Sequence, residues 1–169
     1  GILSLSYFED DKRLELSTLL DVSFKEYLKK HRPYMTWEQL AELEEKGFVV
    51  GSHGIHHRPY GEMATKERAK NTRRSFEELN EHLKMPLRSF SFPFTDDGIP
   101  SSFFEWMHSE LSLNWSFGTA GLKIESNPIH LQRIPMEYER YKRAREILLQ
   151  EYSYFMVKKL VGKNVIKRK

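Results

Sequence analysis

Between residues 14 and 30, Leu14, Leu16, Leu19, Leu20, Val22, Phe24 and Leu28 recur mostly at helical spacings, which predicts two short helices. Thr36-x-x-Gln39 forms a capping box, in which each side chain satisfies the other residue's backbone N–H, so a helix opens there. It is expected to run to about Lys46 and to stop at Gly47. The unbroken apolar run Phe48-Val49-Val50 then predicts a buried strand. A long amphipathic helix is predicted from Thr65, with Ala69, Thr72, Phe76, Leu79 and Leu83 on its inner face. At Ser89 the period changes to two: Ser-Phe-Ser-Phe-Pro-Phe predicts a strand reaching Phe94, and Asp96-Asp97-Gly98 a turn after it. Beyond it lie a helix at 101–110, strands at 115–118 and 130–134, and a last helix at about 141–160. Strands alternating with helices predict an α/β fold with a mostly parallel sheet.

The segment after the first predicted strand, Ser52-His53-Gly54-Ile55-His56-His57, carries the most suggestive chemistry. His53 and His57 stand four residues apart, and two neutral imidazoles at that spacing can share one metal ion if the turn is helical. The same histidines also suit a surface turn. In α/β folds, ligands gather at the carboxyl ends of strands. Two other marked segments lie at such ends, Pro93-Phe94-Thr95-Asp96-Asp97-Gly98 and Gly118-Thr119-Ala120-Gly121.

Composition narrows the choices. The 169 residues are 39% hydrophobic and 30% charged, ordinary for a single globular domain with a real core. With no cysteine, a metal site must draw on His, Asp, Glu or water. No apolar run approaches the roughly 20 residues of a membrane span, and no signal peptide is visible, so a cytoplasmic location is expected. The net charge of +3 owes much to Lys158, Lys159, Lys163, Lys167, Arg168 and Lys169. That tail is read as a solvated helix end, with no specific nucleic-acid partner expected. A basic interaction module acting through the tail is the weakest of the functional readings.

The order and spacing of these segments resemble the polysaccharide deacetylase family (carbohydrate esterase family four). The stretch that carries the likeness runs from about Tyr34 to Glu137. Its core is Lys46-Gly47-Phe48-Val49-Val50-Gly51-Ser52-His53, then His57, a helix, and Phe90-Ser91-Phe92-Pro93-Phe94. The resemblance implies a partial, distorted (β/α) barrel and a divalent metal, usually zinc, that serves hydrolysis of acetyl groups from an acetylated carbohydrate. His53 and His57 match the family's two histidine ligands, and His56 reads as their neighbour. Phe94 follows the proline of the family's strand motif, which implies a backbone N–H that holds the developing oxyanion. Many members carry an arginine two residues before that proline, where this chain has Ser91.

Other family motifs match loosely. The strand ending in paired aspartates, which supplies a base and a third ligand, finds only Phe8-Glu9-Asp10-Asp11 upstream. The chain is therefore expected to be a single domain, 1–169, lacking the first strand, with 140–169 as C-terminal helix and basic tail. An open sheet edge would then favour a homodimer. Asp96 is read as a turn residue lining the site, with replacement metal ligand as a second role. Arg133 resembles a family arginine that orients the base carboxylate. His130 lies near the expected position of the general acid without its Leu-x-x-His context. Trp106 and Trp115 suit either the core or a sugar ring. The alternative function is a catalytically dead carbohydrate-binding or assembly domain of the same fold.

Overall fold

The computed structural model describes residues 10–137 and 143–168. The chain divides into two compact units, 1–42 and 43–169. In the first, the apolar spacing yields the two expected helices, α1 (Asp10–Leu19) and α2 (Phe24–His31). Ser23 caps α2 by accepting the Glu26 N–H at 3.2 Å. Neither helix builds a core from its apolar positions: Leu14, Leu19, Phe24 and Leu28 are all exposed. The upstream Phe8-Glu9 half of the loose aspartate match lies outside the described residues.

Helix α3 (Trp37–Glu45) opens on the expected capping box. Thr36 N–H donates to Gln39 Oε1 at 2.9 Å and Gln39 N–H to Thr36 Oγ1 at 3.3 Å. Gly47, at φ 87°, supplies the left-handed residue that ends it. Glu44 then reaches the backbone N–H groups of Lys84 and Met85 at 2.9 and 2.8 Å.

The strand expected at 48–50 does not form. Phe48 and Val49 are exposed, and pairing begins only at Ser52. There Ser52 N–H donates to Ser89 O at 2.8 Å, and Ser91 N–H to Ser52 O at 2.9 Å. An apolar run becomes a buried strand only when a neighbour supplies ladder partners and a covering face. Residues 48–50 have neither among the described residues.

The second unit is built on α4 (Thr65–His82), β1 (Ser89–Ser91), α5 (Ser101–Leu111), β2 (Trp115–Gly118), β3 (His130–Gln132) and α6 (Ala144–Leu160). The strands form one parallel sheet in the order β1-β2-β3, an open α/β sheet among the described residues. Between α4 and α5 the core is aromatic: Tyr60, Phe76, Phe90, Phe92, Phe103 and Phe104 are all buried. Phe90 and Phe92 meet edge to face at 5.0 Å, and Phe92 packs on Phe104 at 5.5 Å. Trp106 stacks on Phe103 at 5.3 Å, whereas Trp115 is partly exposed. After α6 the chain returns to the sheet side of the unit, where Val165 bridges Ile124 in parallel.

Gly118 ends β2 for a reason of space. A Cβ there would lie 2.5 Å from the Asp96 carboxylate, which is itself fixed by hydrogen bonds and cannot step aside. Gly118→Ala is therefore expected to cost about 1–3 kcal/mol, read as a lowered midpoint in urea unfolding.

Candidate functional site

The histidine loop is pinned from beneath by α4. Asn71 Oδ1 accepts the Ile55 N–H at 3.1 Å and the Tyr60 hydroxyl at 3.0 Å. Ser52 Oγ lies 2.5 Å from Ser75 Oγ and accepts the Gly54 N–H at 3.3 Å. Burial pushes the Tyr60 hydroxyl up to about 12, against the opposing pull of its Thr72 bond and the Arg68 charge, so it stays a neutral donor. Gly54, at φ 78°, has room for no side chain between Asn71 and Tyr60.

On this platform His53 and His57 face each other edge to face, ring centroids 4.7 Å apart. His53 Nδ1 lies 2.7 Å from Ser91 O. A carbonyl only accepts, so Nδ1 carries the hydrogen and the lone pair of the neutral ring sits on Nε2. Burial lowers the His53 pKa; the Ser91 bond opposes that, while His57 and Arg133 add to it. A neutral imidazole whose tautomer is set by a backbone carbonyl is the form in which histidine holds a metal.

Phe94 lies beside this pair, its ring 4.7 Å from that of His57. The alternation that buries Phe90 and Phe92 breaks here, leaving Phe94 57% exposed at φ 58°. His57 is also left-handed, at φ 48°. Such backbone costs of order 1–3 kcal/mol per residue and persists only where the surroundings over-determine it. The Phe94 N–H meets no acceptor among the described residues, while Thr119 Oγ1 donates to Phe94 O at 2.9 Å. Arg133 holds the same loop by donating from Nη2 to Phe92 O at 3.2 Å, and from Nε to Gly118 O at 3.0 Å. The acceptors of this arginine are thus backbone carbonyls, where the resemblance implied a carboxylate.

Asp96 and His130 belong to a different constellation. Asp96 opens the expected turn, its carbonyl accepting the Ile99 N–H at 3.4 Å, but the residue is buried, at 2% exposed. Its Oδ2 faces His130 Nε2 at 3.0 Å and accepts from Gln132 Nε2 at 2.9 Å and Arg168 Nη2 at 2.6 Å. Its Oδ1 takes the Thr119 N–H at 3.0 Å. The other nitrogen of His130 meets Ser116 Oγ at 2.7 Å, so both ring nitrogens are engaged. Arg168 also reaches Glu125 Oε2 at 2.6 Å and lies over the Phe104 ring at 4.4 Å. The tail is therefore not simply a solvated helix end: the Arg168 side chain is 4% exposed.

Burial alone would raise the Asp96 carboxyl, but His130, Arg168, Gln132 and the Thr119 N–H together hold it far below the usual carboxylate range. Glu125 is likewise lowered, because Arg168 outweighs its burial. Both shifts make the folded form bind protons less readily than the unfolded chain. Their contribution is complete above the ordinary values of 3.8 and 4.5 and is lost as pH falls through them toward the folded pKa values. The stabilisation that this carboxylate pair gives should change little between about pH 7 and pH 5 and be lost below about pH 4, read as the difference in urea midpoint between the wild-type chain and R168M at each pH.

Asp96, Glu125 and His130 are the one group of three metal-ligating types found close together among the described residues. The Arg168 guanidinium already bridges its two carboxylates, at 2.6 Å from each. The chemistry of His53 and His57 suits a divalent ion better. They form a pair of imidazoles that no third metal-ligating side chain joins among the described residues. A cavity of about 570 Å3 lies along Thr95, Ile99, Pro100, Lys123 and Ile166, and its lining includes neither histidine.

With this geometry in hand, the comparisons give the class. The family model for polysaccharide deacetylase matches residues 18–100, in agreement with the resemblance read from the motifs. Carbohydrate deacetylation is the chemistry that the match suggests. The matched segment holds His53, His57, Phe94 and Asp96 and ends before His130, Arg133 and Arg168. No curated protein and no solved structure matches the chain. No helix among the described residues is long and apolar enough to cross a membrane.

Sequence reasoning missed Arg168, Glu125, Gln132 and Thr119 as partners of the loop. Thr119 and Gln132 stood inside segments already marked, at the ends of β2 and β3. For Arg168 the only signal was a charge in a basic tail, which pointed the other way.

Proposed function

We propose that the chain is a metal-dependent deacetylase domain acting on an acetylated polysaccharide or amino sugar, its open sheet forming part of a distorted barrel. The observation that carries the reading is the row His53, His57, Phe94: a tautomer-fixed imidazole, a second imidazole against it, and a strained residue with a free N–H. His53 and His57 would hold the ion, with zinc the best match to two imidazoles and no thiolate. Such an ion, when bound, lowers the pKa of its water toward about 7 and polarises the acetyl carbonyl. The Phe94 N–H would donate to the oxyanion of the tetrahedral intermediate, an interaction worth on the order of 3 kcal/mol. Arg133 and Thr119 keep that donor in place. We assign Asp96 and His130 to holding the loop, because their polar atoms are spent on one another and on Arg168.

The missing third ligand favours a second reading, a carbohydrate-binding domain without turnover. Acetate release from acetylated glycans, measured with zinc added and with a chelator, separates the two. Chelator-sensitive release supports the deacetylase. Saccharide binding that ignores both chelator and His53→Ala, with no acetate formed, supports the second.

A further inference from the structure

Three alternate carbonyls of the Phe94 loop are each held by a side chain from elsewhere in the fold. Arg133 holds Phe92 O and Thr119 holds Phe94 O, while Arg168 Nη1 donates to Asp96 O at 3.1 Å. The third anchor comes from 72 positions along the chain. It arrives on a strap, 164–168, that is itself fixed to the segment after β2. Ile124 N–H donates to Asn164 O at 2.9 Å and Ile166 N–H to Ile124 O at 2.9 Å. Asn164 is buried.

We infer that Arg168 is a positioning residue for the deacetylation site, fixing Asp96 and, through Thr119, the direction in which the Phe94 N–H points. The inference rests on the reading of Phe94 as oxyanion donor. Its chain of contacts is short. Asp96 Oδ1 holds the Thr119 N–H, and the Thr119 hydroxyl holds Phe94 O, so a displaced Asp96 releases both ends of the loop. The guanidinium shape is required. One plane serves Asp96 O, Asp96 Oδ2 and Glu125 at once, with its face on Phe104. A lysine ammonium can bridge the two carboxylates but cannot present that planar fork. An oxyanion donor acts only when pre-aimed, so losing one anchor should weaken the transition state more than ground-state binding.

The test compares the wild-type chain with R168K and R168A, using acetate release and 15N–1H spectra of the Phe94 and Thr119 amides. Expected for folded R168A is a fall in kcat of about tenfold or more with KM within about twofold. Both amides should shift, and R168K should recover only part of the loss. Arg168 lines the cavity described above, which gives added guanidinium ion a route to restore kcat in R168A. An unchanged kcat, or a loss that neither guanidinium nor R168K recovers and that tracks the unfolded fraction, overturns the inference. If R168A does not fold, R168K decides, through the same split of kcat against KM and the same amides. A wild-type chain that releases no acetate removes the deacetylase reading instead. The amides then judge the positioning by themselves: Phe94 unmoved in R168K and R168A refutes it.

Discussion

Asp96→Ala is expected to lower folding stability by about 3–5 kcal/mol, the cost of breaking a buried ion pair by removing one member. The change strips Arg168, His130, Gln132 and the Thr119 N–H of a shared, buried acceptor. Glu125 still neutralises Arg168, which sets the upper limit of the loss. A double variant, Asp96→Ala with Arg168→Met, should lose less than the sum of the single changes, because both single changes break the same Asp96–Arg168 contact and the double variant loses it only once. Denaturant unfolding of the four proteins closes the cycle. Strict additivity would mean that the two side chains do not stabilise one another.

The second large effect falls on chemistry. His53→Ala combined with His57→Asn is expected to lower zinc-supported kcat/KM by about a thousandfold, the several kcal/mol that metal polarisation contributes converted at tenfold per 1.4 kcal/mol. Asparagine suits position 57 because its φ is 48°, a conformation that asparagine tolerates far better than alanine does. Both histidines are exposed, so the unfolding midpoint should hardly move. A large fall in stability without a specific loss of turnover would assign the pair to folding.

The contrast between these two constellations explains what the sequence could tell. Local signals were reliable where the deciding interactions are local. The capping box at Thr36 and Gln39, the stop at Gly47, the length of α4 and the helix at α5 all rest on contacts within a few residues. The strands of the sheet were legible because Phe90 and Phe92 alternate with small serines over a buried face. The run at 48–50 failed because burial depends on a neighbouring strand, which a local pattern cannot supply. His53, His57 and Phe94 were marked by spacing and by resemblance, and the fold brings them together within ring contact.

Arg168 was illegible for a complementary reason. Its partners lie 72 and 43 residues away, and nothing in a lysine-rich sequence marks this arginine as a buried cation. For Asp96 the composition gave the turn but not the burial, since Asp-Asp-Gly is a turn pattern whichever aspartate points inward. Which of the two points inward is set by Gly118, whose missing side chain leaves the space for the Asp96 carboxylate.

The central claim is that His53 and His57 form the metal-holding pair of a deacetylase domain. Its most direct test is a calorimetric titration of the purified chain with zinc, beside the His53→Ala, His57→Asn variant. The account predicts saturation at one zinc per chain, abolished in the variant while its circular dichroism is unchanged. Zinc binding that survives in the variant, or is absent from both proteins, would contradict it.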